Sequence, residues 1–83
     1  MIKNENYPLY IVCWEDHSSD GGWVSLEDIK KAKPILCHSI GYLVEEDSKM
    51  VKLIDTYTDD KGLGGLNIIL KSCITEMYEI TIE

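Results

Sequence analysis

The sequence contains no arginine and no phenylalanine, and only two of its 83 residues are proline. Arginine is the side chain best suited to bidentate contacts with phosphates and base edges. Its absence, together with fifteen acidic residues against eight lysines and a net charge of −7, argues against duplex DNA or RNA as a non-specific partner. A small anionic ligand is still compatible, because backbone N–H groups, single lysines and stacked aromatic rings can hold one phosphate compound.

Cysteine is scarce and odd in number, at positions 13, 37 and 73. We expect three reduced thiols in small apolar packing positions, because residues 1–6 are too polar for the apolar segment of a signal peptide. No apolar run approaches the roughly 18 residues that a membrane span needs. We therefore expect a cytoplasmic protein with a single domain over residues 1–83, in which residues 1–7 form a polar lead-in.

Apolar runs and turn-forming residues alternate along the chain in the manner of a small β protein. Residues 9–14 are apolar and rich in β-branched types, which predicts a strand that is covered on both faces. Residues 26–33 predict a short helix, capped by Ser25 and stopped by Pro34. Further strands are predicted over residues 35–45, 50–56, 66–70 and 74–82, with a tight 3₁₀-type connection at residues 71–73.

The predicted fold is mainly β with one short helix, either a small bent antiparallel sheet or an SH3-like or Sm-like barrel, with about five strands. Gly41 interrupts one face of the longest strand and indicates a bulge or a bend. Residues 9–14 and 66–69 are apolar on both faces, which one sheet and one helix have difficulty covering. We therefore expect a homo-oligomer. The alternative is a chain that curls and covers both faces internally.

The cysteines and histidines do not have the spacing of a metal site. Cys13 and His17 lie four positions apart, and Cys37 and His38 are adjacent. Neighbouring residues on a strand point to opposite faces, so Cys37 and His38 are poorly placed to serve one ion. There is also no C-x-x-C pair, and we predict no metal site.

Nucleophilic catalysis finds little support either. Cys13, Asp16 and His17 have the residue types of a thiol triad, but the cysteine lies in an apolar strand. The glycine-rich loop at residues 62–65 lacks the Lys-Ser/Thr ending of a P-loop and is interpreted as a flexible connection that could serve as a lid. We predict that the protein is not an enzyme and needs no cofactor.

The acidic loop between the two tryptophans is the best candidate for a functional site. Trp14 closes an apolar strand and is predicted to pack in the core, whereas Trp23 follows two glycines and is the candidate for a ligand or an interface. Stacking on a purine base is one use of such aromatic rings. The candidate ligand-binding residues are Trp23 and Tyr42 for stacking, Ser19, Gly21 and Gly22 for hydroxyl and backbone contacts, and Lys71 for a phosphate.

Three segments carry a resemblance to known proteins: Trp14-Glu15-Asp16 followed by Gly22-Trp23-Val24-Ser25-Leu26-Glu27-Asp28, then residues 39–47, then residues 71–77. Over residues 10–80 the chain resembles a group of small phage and prophage accessory proteins. The resemblance implies an accessory role in the cytoplasm of the host cell rather than catalysis. Small acidic phage proteins include inhibitors of host defence, and some are oligomers that sequester signalling nucleotides.

Two functions are therefore expected as alternatives. The first is a non-enzymatic phage-type binding module that oligomerises and sequesters a small ligand, such as a cyclic nucleotide immune signal, against host defence. The second is an acidic protein-interaction module that inhibits or docks to a host protein or a phage complex. Neither a duplex nucleic acid nor a membrane is expected as a partner.

Overall fold

A computed structural model of the chain describes residues 7–17 and 21–81. The prediction of a mainly β fold with one short helix is confirmed. In chain order the elements are β1 (Leu9–Asp16), α1 (Leu26–Lys31), β2 (Ile35–Glu46), β3 (Met50–Ile54), β4 (Thr56–Tyr57), β5 (Leu63–Gly64), β6 (Asn67–Leu70), a 3₁₀ turn (Lys71–Cys73) and β7 (Ile74–Ile80).

Five of the strands form one antiparallel sheet in the order β6-β3-β2-β1-β7, and β4 pairs with β5 in a second, two-stranded sheet. The edge strands β6 and β7 are joined by the 3₁₀ turn Lys71–Cys73 alone. In a flat sheet the four spacings between these edges would amount to about 19 Å, whereas the four Cα–Cα steps from Leu70 to Ile74 reach at most about 14 Å. The sheet must therefore coil. Within the described residues it stays open, which is the bent-sheet form of the prediction rather than a closed barrel.

The core lies on the concave side of this bent sheet, which we call the inner face. Its centre consists of four side chains that are at most 3% exposed, Val12, Val51, Leu53 and Ile69. Val12 belongs to β1 and Ile69 to β6, three positions apart in the sheet, so they share a cluster only because the sheet bends. Five half-buried side chains pack around this centre: Tyr10, Trp14, Leu43, Ile74 and Met77.

Gly41 lies where β2 passes closest to the end of β3. A Cβ atom at this position would sit 2.9 Å from the carbonyl oxygen of Ile54 and 3.0 Å from Cβ of Leu53. The glycine is therefore required by close backbone approach. The predicted irregularity of this strand is present a little further along, where the β2–β3 register shifts between Leu43 and Glu45.

The predicted strand over residues 50–56 is divided at Asp55, and the glycine-rich loop that follows is part of the β4–β5 hairpin. Gly65 has a positive φ of 71°, and a Cβ there would overlap the carboxylate of Asp55 at 2.1 Å. The Asp55 N–H also donates to the carbonyl of Gly64 at 3.1 Å. These contacts tie the loop to the end of β3, in contrast to the interpretation as a flexible lid.

Helix α1 begins as predicted and ends earlier. The Ser25 hydroxyl accepts a hydrogen bond from the Asp28 N–H at 3.1 Å, which satisfies one of the helix's first donors. Ala32 is already extended, with φ −65° and ψ 138°. A proline disfavours helical geometry at the residue that precedes it, so the chain leaves the helix before it reaches Pro34.

Candidate functional site: an exposed apolar arm

The segment between β1 and β2 projects its side chains into solvent. We call residues 21–34 the arm. Every residue from 21 to 36 is exposed, and none of the six helix residues is buried. Trp23 is fully exposed, Leu26 is 66% exposed and Ile29 is 57% exposed. Helix α1 therefore presents its apolar residues to solvent rather than to the sheet.

The arm has local structure despite this exposure. Beyond the Ser25 cap, Lys31 Nζ lies 2.9 Å from a carboxylate oxygen of Glu27, one turn earlier in the helix. Such an exposed pair contributes only about 0.3–0.5 kcal/mol, and a helix of this length is marginal in water. Leu26 and Ile29 are three residues apart and lie on the same side of the helix. Packing of these two side chains against another surface would stabilise the helix, and the single chain does not provide it.

The exposed apolar surface continues into the first residues of β2. Ile35 and Leu36 are each more than half exposed, and Val24 adds to the surface beside Trp23. Single exposed apolar residues are normal on a protein surface, but a run of them in one segment marks an interaction site. The arm and the start of β2 together form such a run.

The aromatic and lysine residues of the predicted ligand site lie in different surroundings. Tyr42 packs edge-to-face against Tyr57, with ring centroids 5.0 Å apart. Lys71 Nζ lies 2.7 Å from a carboxylate oxygen of Glu46. Trp23 lies on the arm. The three side chains predicted to bind one ligand thus have three separate sets of neighbours.

The length of strand β2 separates the arm from the other candidate residues. The arm joins it at Ile35, and Tyr42 lies seven residues further along, which corresponds to roughly 23 Å of extended strand. Tyr42 pairs with Ile54 across the β2–β3 ladder, whereas Glu46 pairs with the core residue Val51, so these two β2 side chains lie on opposite faces. One chain does not bring Trp23, Tyr42 and Lys71 together.

The two glycines of the predicted site belong to the arm. Gly21 is exposed, with no atom within 4 Å of the position that a Cβ would take. Gly22 is also exposed and directly precedes Trp23. Ser19 lies outside the described residues. The predicted site therefore divides into an arm half, which contains Trp23 and the two glycines, and a sheet half.

An open cleft of about 270 Å³ lies at the base of the arm, where β1 ends and Pro34 returns the chain to β2. Among the described residues, none of the predicted ligand-binding residues lines it. Its lining residues are Glu15, His17, Pro34, Ser72, Cys73, Ile74 and Thr75.

The structure places Cys13 beside His38 rather than His17. The two are direct partners across the β1–β2 ladder, with Cys13 Sγ 3.2 Å from His38 Nδ1. Only the register of the two strands reveals this pair, and sequence spacing carries no signal of it. Glu76 pairs with Cys13 from the other side. Within residues 7–17 and 21–81, however, no three side chains of the metal-ligating types converge.

The convex side of the sheet, which we call the outer face, carries a second exposed apolar surface. Ile11 pairs with Ile40 on one side and with Tyr78 on the other, so the three side chains form a row across β2, β1 and β7. Ile40 is 61% exposed and Tyr78 is 51% exposed. We call these three residues the outer patch. The prediction that β1 is covered on both faces holds for the inner face, where Val12 is fully buried, whereas the outer face is only partly covered and Ile11 is half-buried.

Acidic groups share the outer face with the outer patch. Glu76 lies two residues before Tyr78 on β7 and accepts a hydrogen bond from its hydroxyl, which raises the pKa of Tyr78 above its ordinary value. Glu15 lies two residues beyond Cys13 on β1 and opposite Leu36, so it shares the outer face. The outer face thus carries one carboxylate next to the patch and a second one further along β1.

Charge is distributed unequally between the arm and the remainder of the chain. The arm holds three lysines, Lys30, Lys31 and Lys33, against two acidic residues, a net charge of +1. Because the whole chain carries −7, the remainder carries −8. The arm is therefore opposite in sign to the chain as a whole, and its lysines follow its apolar residues directly.

No protein-family model matches the chain, and neither a curated protein nor a solved structure shows significant similarity to it. The resemblance to small phage proteins stays a prediction. Across residues 7–17 and 21–81, no helix has the length and apolar character needed to cross a membrane.

Proposed function

We propose that the protein is a non-enzymatic protein-interaction module that docks onto another protein chain through its arm. The observation that carries this proposal is the exposure of Trp23, Leu26 and Ile29 in one capped segment. Full burial of a side chain of this kind is worth about 1.5–3 kcal/mol relative to exposure. Tryptophan is also among the residues that most often dominate interface energies. A partner that covers the arm would order its helix and gain this free energy.

Site-specific photo-crosslinking in cells tests the proposal. A photoreactive amino acid replaces Ile29 on the arm, and a matched variant carries it at Asp59, which is exposed in the turn between β4 and β5. We expect discrete crosslinked products from position 29 and only background from position 59. Equal products from both positions, or none from position 29, would overturn the proposal.

Sequestration of a small ligand is the second candidate, in the form of an oligomer that binds a cyclic nucleotide in counter-defence. It is supported by the full exposure of Trp23, whose ring is open for stacking beside the exposed Gly21 and Gly22. Since one chain does not collect Trp23, Tyr42 and Lys71, such a site needs residues from two copies.

A panel of cyclic di- and trinucleotides tests this second candidate by thermal shift, with the Trp23→Ala variant as the control. Stabilisation by one nucleotide that depends on Trp23 supports sequestration, and recovery of that nucleotide intact after heating supports a non-enzymatic role. Absence of a shift with every nucleotide would remove this candidate and leave the interaction module unaffected.

A further inference from the structure

We propose that the arm of one protomer docks on the outer patch of a second copy of this chain. The inference rests on the proposed function of the arm as a docking surface and adds the partner and its contact site. In this arrangement Leu26 and Ile29 of one protomer cover Ile40 and Tyr78 of its partner. The reciprocal contact is made by the partner's arm, so the pair closes as a twofold dimer.

The first support is that both apolar surfaces are uncovered in the single chain. Leu26 and Ile29 on the arm and Ile40 and Tyr78 on the sheet are all more than half exposed. The arm does not cover the chain's own patch, since every arm residue is exposed. Two exposed apolar surfaces on one chain are what a reciprocal dimer needs, because each protomer then contributes one arm and one patch.

The second support is charge complementarity. The arm carries +1 and the remainder of the chain −8. Lys30 and Lys33 form no ion pair within the part of the chain that the structure describes. The outer face holds Glu76 next to the patch, and Glu15 lies four residues beyond Ile11 on the same face. Docking therefore brings unpaired lysines toward carboxylates, and it offsets part of the repulsion between two copies that each carry −7.

Sedimentation equilibrium of the purified chain and its variants tests the inference by measuring how strongly each one self-associates. We expect a dimer for the natural chain, and at least about tenfold weaker association for Ile29→Glu on the arm and for Ile40→Glu on the patch. Leu63→Glu is the matched control, because Leu63 is a half-exposed apolar residue on β5, outside both surfaces. Far-UV circular dichroism confirms that each variant is folded.

Mixing the two weakened variants gives the decisive result. A chain with Ile29→Glu still has an intact patch, and a chain with Ile40→Glu still has an intact arm. Their mixed dimer therefore contains one undamaged arm–patch contact, whereas each variant alone contains none. We expect the mixture to associate more strongly than either variant by itself. No gain on mixing would overturn the arm-to-patch contact in favour of arm-to-arm or patch-to-patch pairing.

Charge reversal on the arm and the concentration dependence of association provide two further tests. Lys30→Glu combined with Lys33→Glu should weaken the dimer, and added salt, which screens the repulsion between the two copies, should restore more association to this variant than to the natural chain. A natural chain that remains monomeric at the highest soluble concentration overturns the inference. The proposed function is judged separately in that case, since crosslinking at position 29 to a different protein would still support it.

Discussion

The inner face and the arm contain the same kinds of apolar side chain in opposite environments. Leu53 on β3 is 1% exposed because the sheet coils around it, whereas Leu26 on α1 is 66% exposed. The difference shows that hydrophobicity alone does not assign a residue to the core. Burial depends on how the strands are connected. Here the short 3₁₀ turn between β6 and β7 draws the edges of the sheet together and encloses the inner face. The arm lies outside that constraint and is free to serve a partner.

The sharpest test of this contrast is a pair of truncations. Leu53→Ala should lower the free energy of unfolding by about 2–5 kcal/mol, because it leaves a cavity in the core. Leu26→Ala should lower the unfolding free energy of the isolated chain by less than about 0.5 kcal/mol. Denaturant titration at a concentration where the chain is monomeric measures both. Comparable losses would show that the arm is packed on the sheet in solution.

The next effect concerns Gly41, whose close approach to Ile54 belongs to the core region. Gly41→Ala should destabilise the protein by about 1–3 kcal/mol, because the added Cβ would lie closer to the Ile54 carbonyl oxygen and to Leu53 Cβ than van der Waals contact permits. Gly64→Ala is the matched control, since no atom lies within 4 Å of its added Cβ. Equal thermal unfolding temperatures for the two variants would contradict this account of β2.

A smaller effect is expected from the helix cap of the arm. Ser25→Ala removes the acceptor of the Asp28 N–H and should cost about 1 kcal/mol of helix stability. The loss should be seen as faster hydrogen exchange of the α1 amides. The global unfolding free energy should stay within about 0.5 kcal/mol of the natural chain. Ser72→Ala, in the 3₁₀ turn that has no side-chain cap, provides the control. Uniformly faster exchange across the sheet would contradict the independence of the arm.

The smallest effect is a pH dependence of the β2–β3 turn. The Asp47 carboxylate accepts hydrogen bonds from the N–H groups of Lys49 and Met50, at 2.7 and 2.9 Å, and these bonds lower the pKa of Asp47. The stability that Asp47 contributes is therefore present above its unfolded-state pKa and is lost as the pH falls through its lowered folded-state value.

The variant Asp47→Asn should show a flatter decline of stability on acidification than the natural chain. Ser48→Ala, an exposed residue of the same turn with no titrating side chain, is the control and should decline in parallel with the natural chain. Parallel acid profiles for all three proteins would show that the turn contributes nothing to the pH dependence.

Local features of the fold were predictable from the sequence. The Ser25 cap, the start of α1, the 3₁₀ connection and the core position of Trp14 follow from residue types within a few positions. Trp14 also donates its indole N–H to the Ser39 hydroxyl at 2.9 Å, which meets the need of a partly buried tryptophan for an acceptor.

Long-range features were not predictable in the same way. The pairing of Cys13 with His38 depends on the register of two strands, and a shift of one residue would reverse which side chains meet. The separation of Tyr42 from Lys71 depends on the faces of β2 and on its bulge. Trp23 is exposed, as a residue that contacts a ligand or a partner must be, and ligand binding by this segment stays a prediction. Sequence spacing did not reveal which of the candidate residues share a neighbourhood.

The pairing of β1 with β7 has a consequence for biosynthesis. Val12 lies opposite Met77, 65 positions later in the chain. A nascent chain that has emerged only as far as β6 carries β1 with one edge unpaired, and that edge is a template for pairing with other chains. Completion of the sheet must therefore wait for the last strand, and contacts of such long range are slow to form. We expect newly made chains to depend on protection by chaperones until β7 leaves the ribosome.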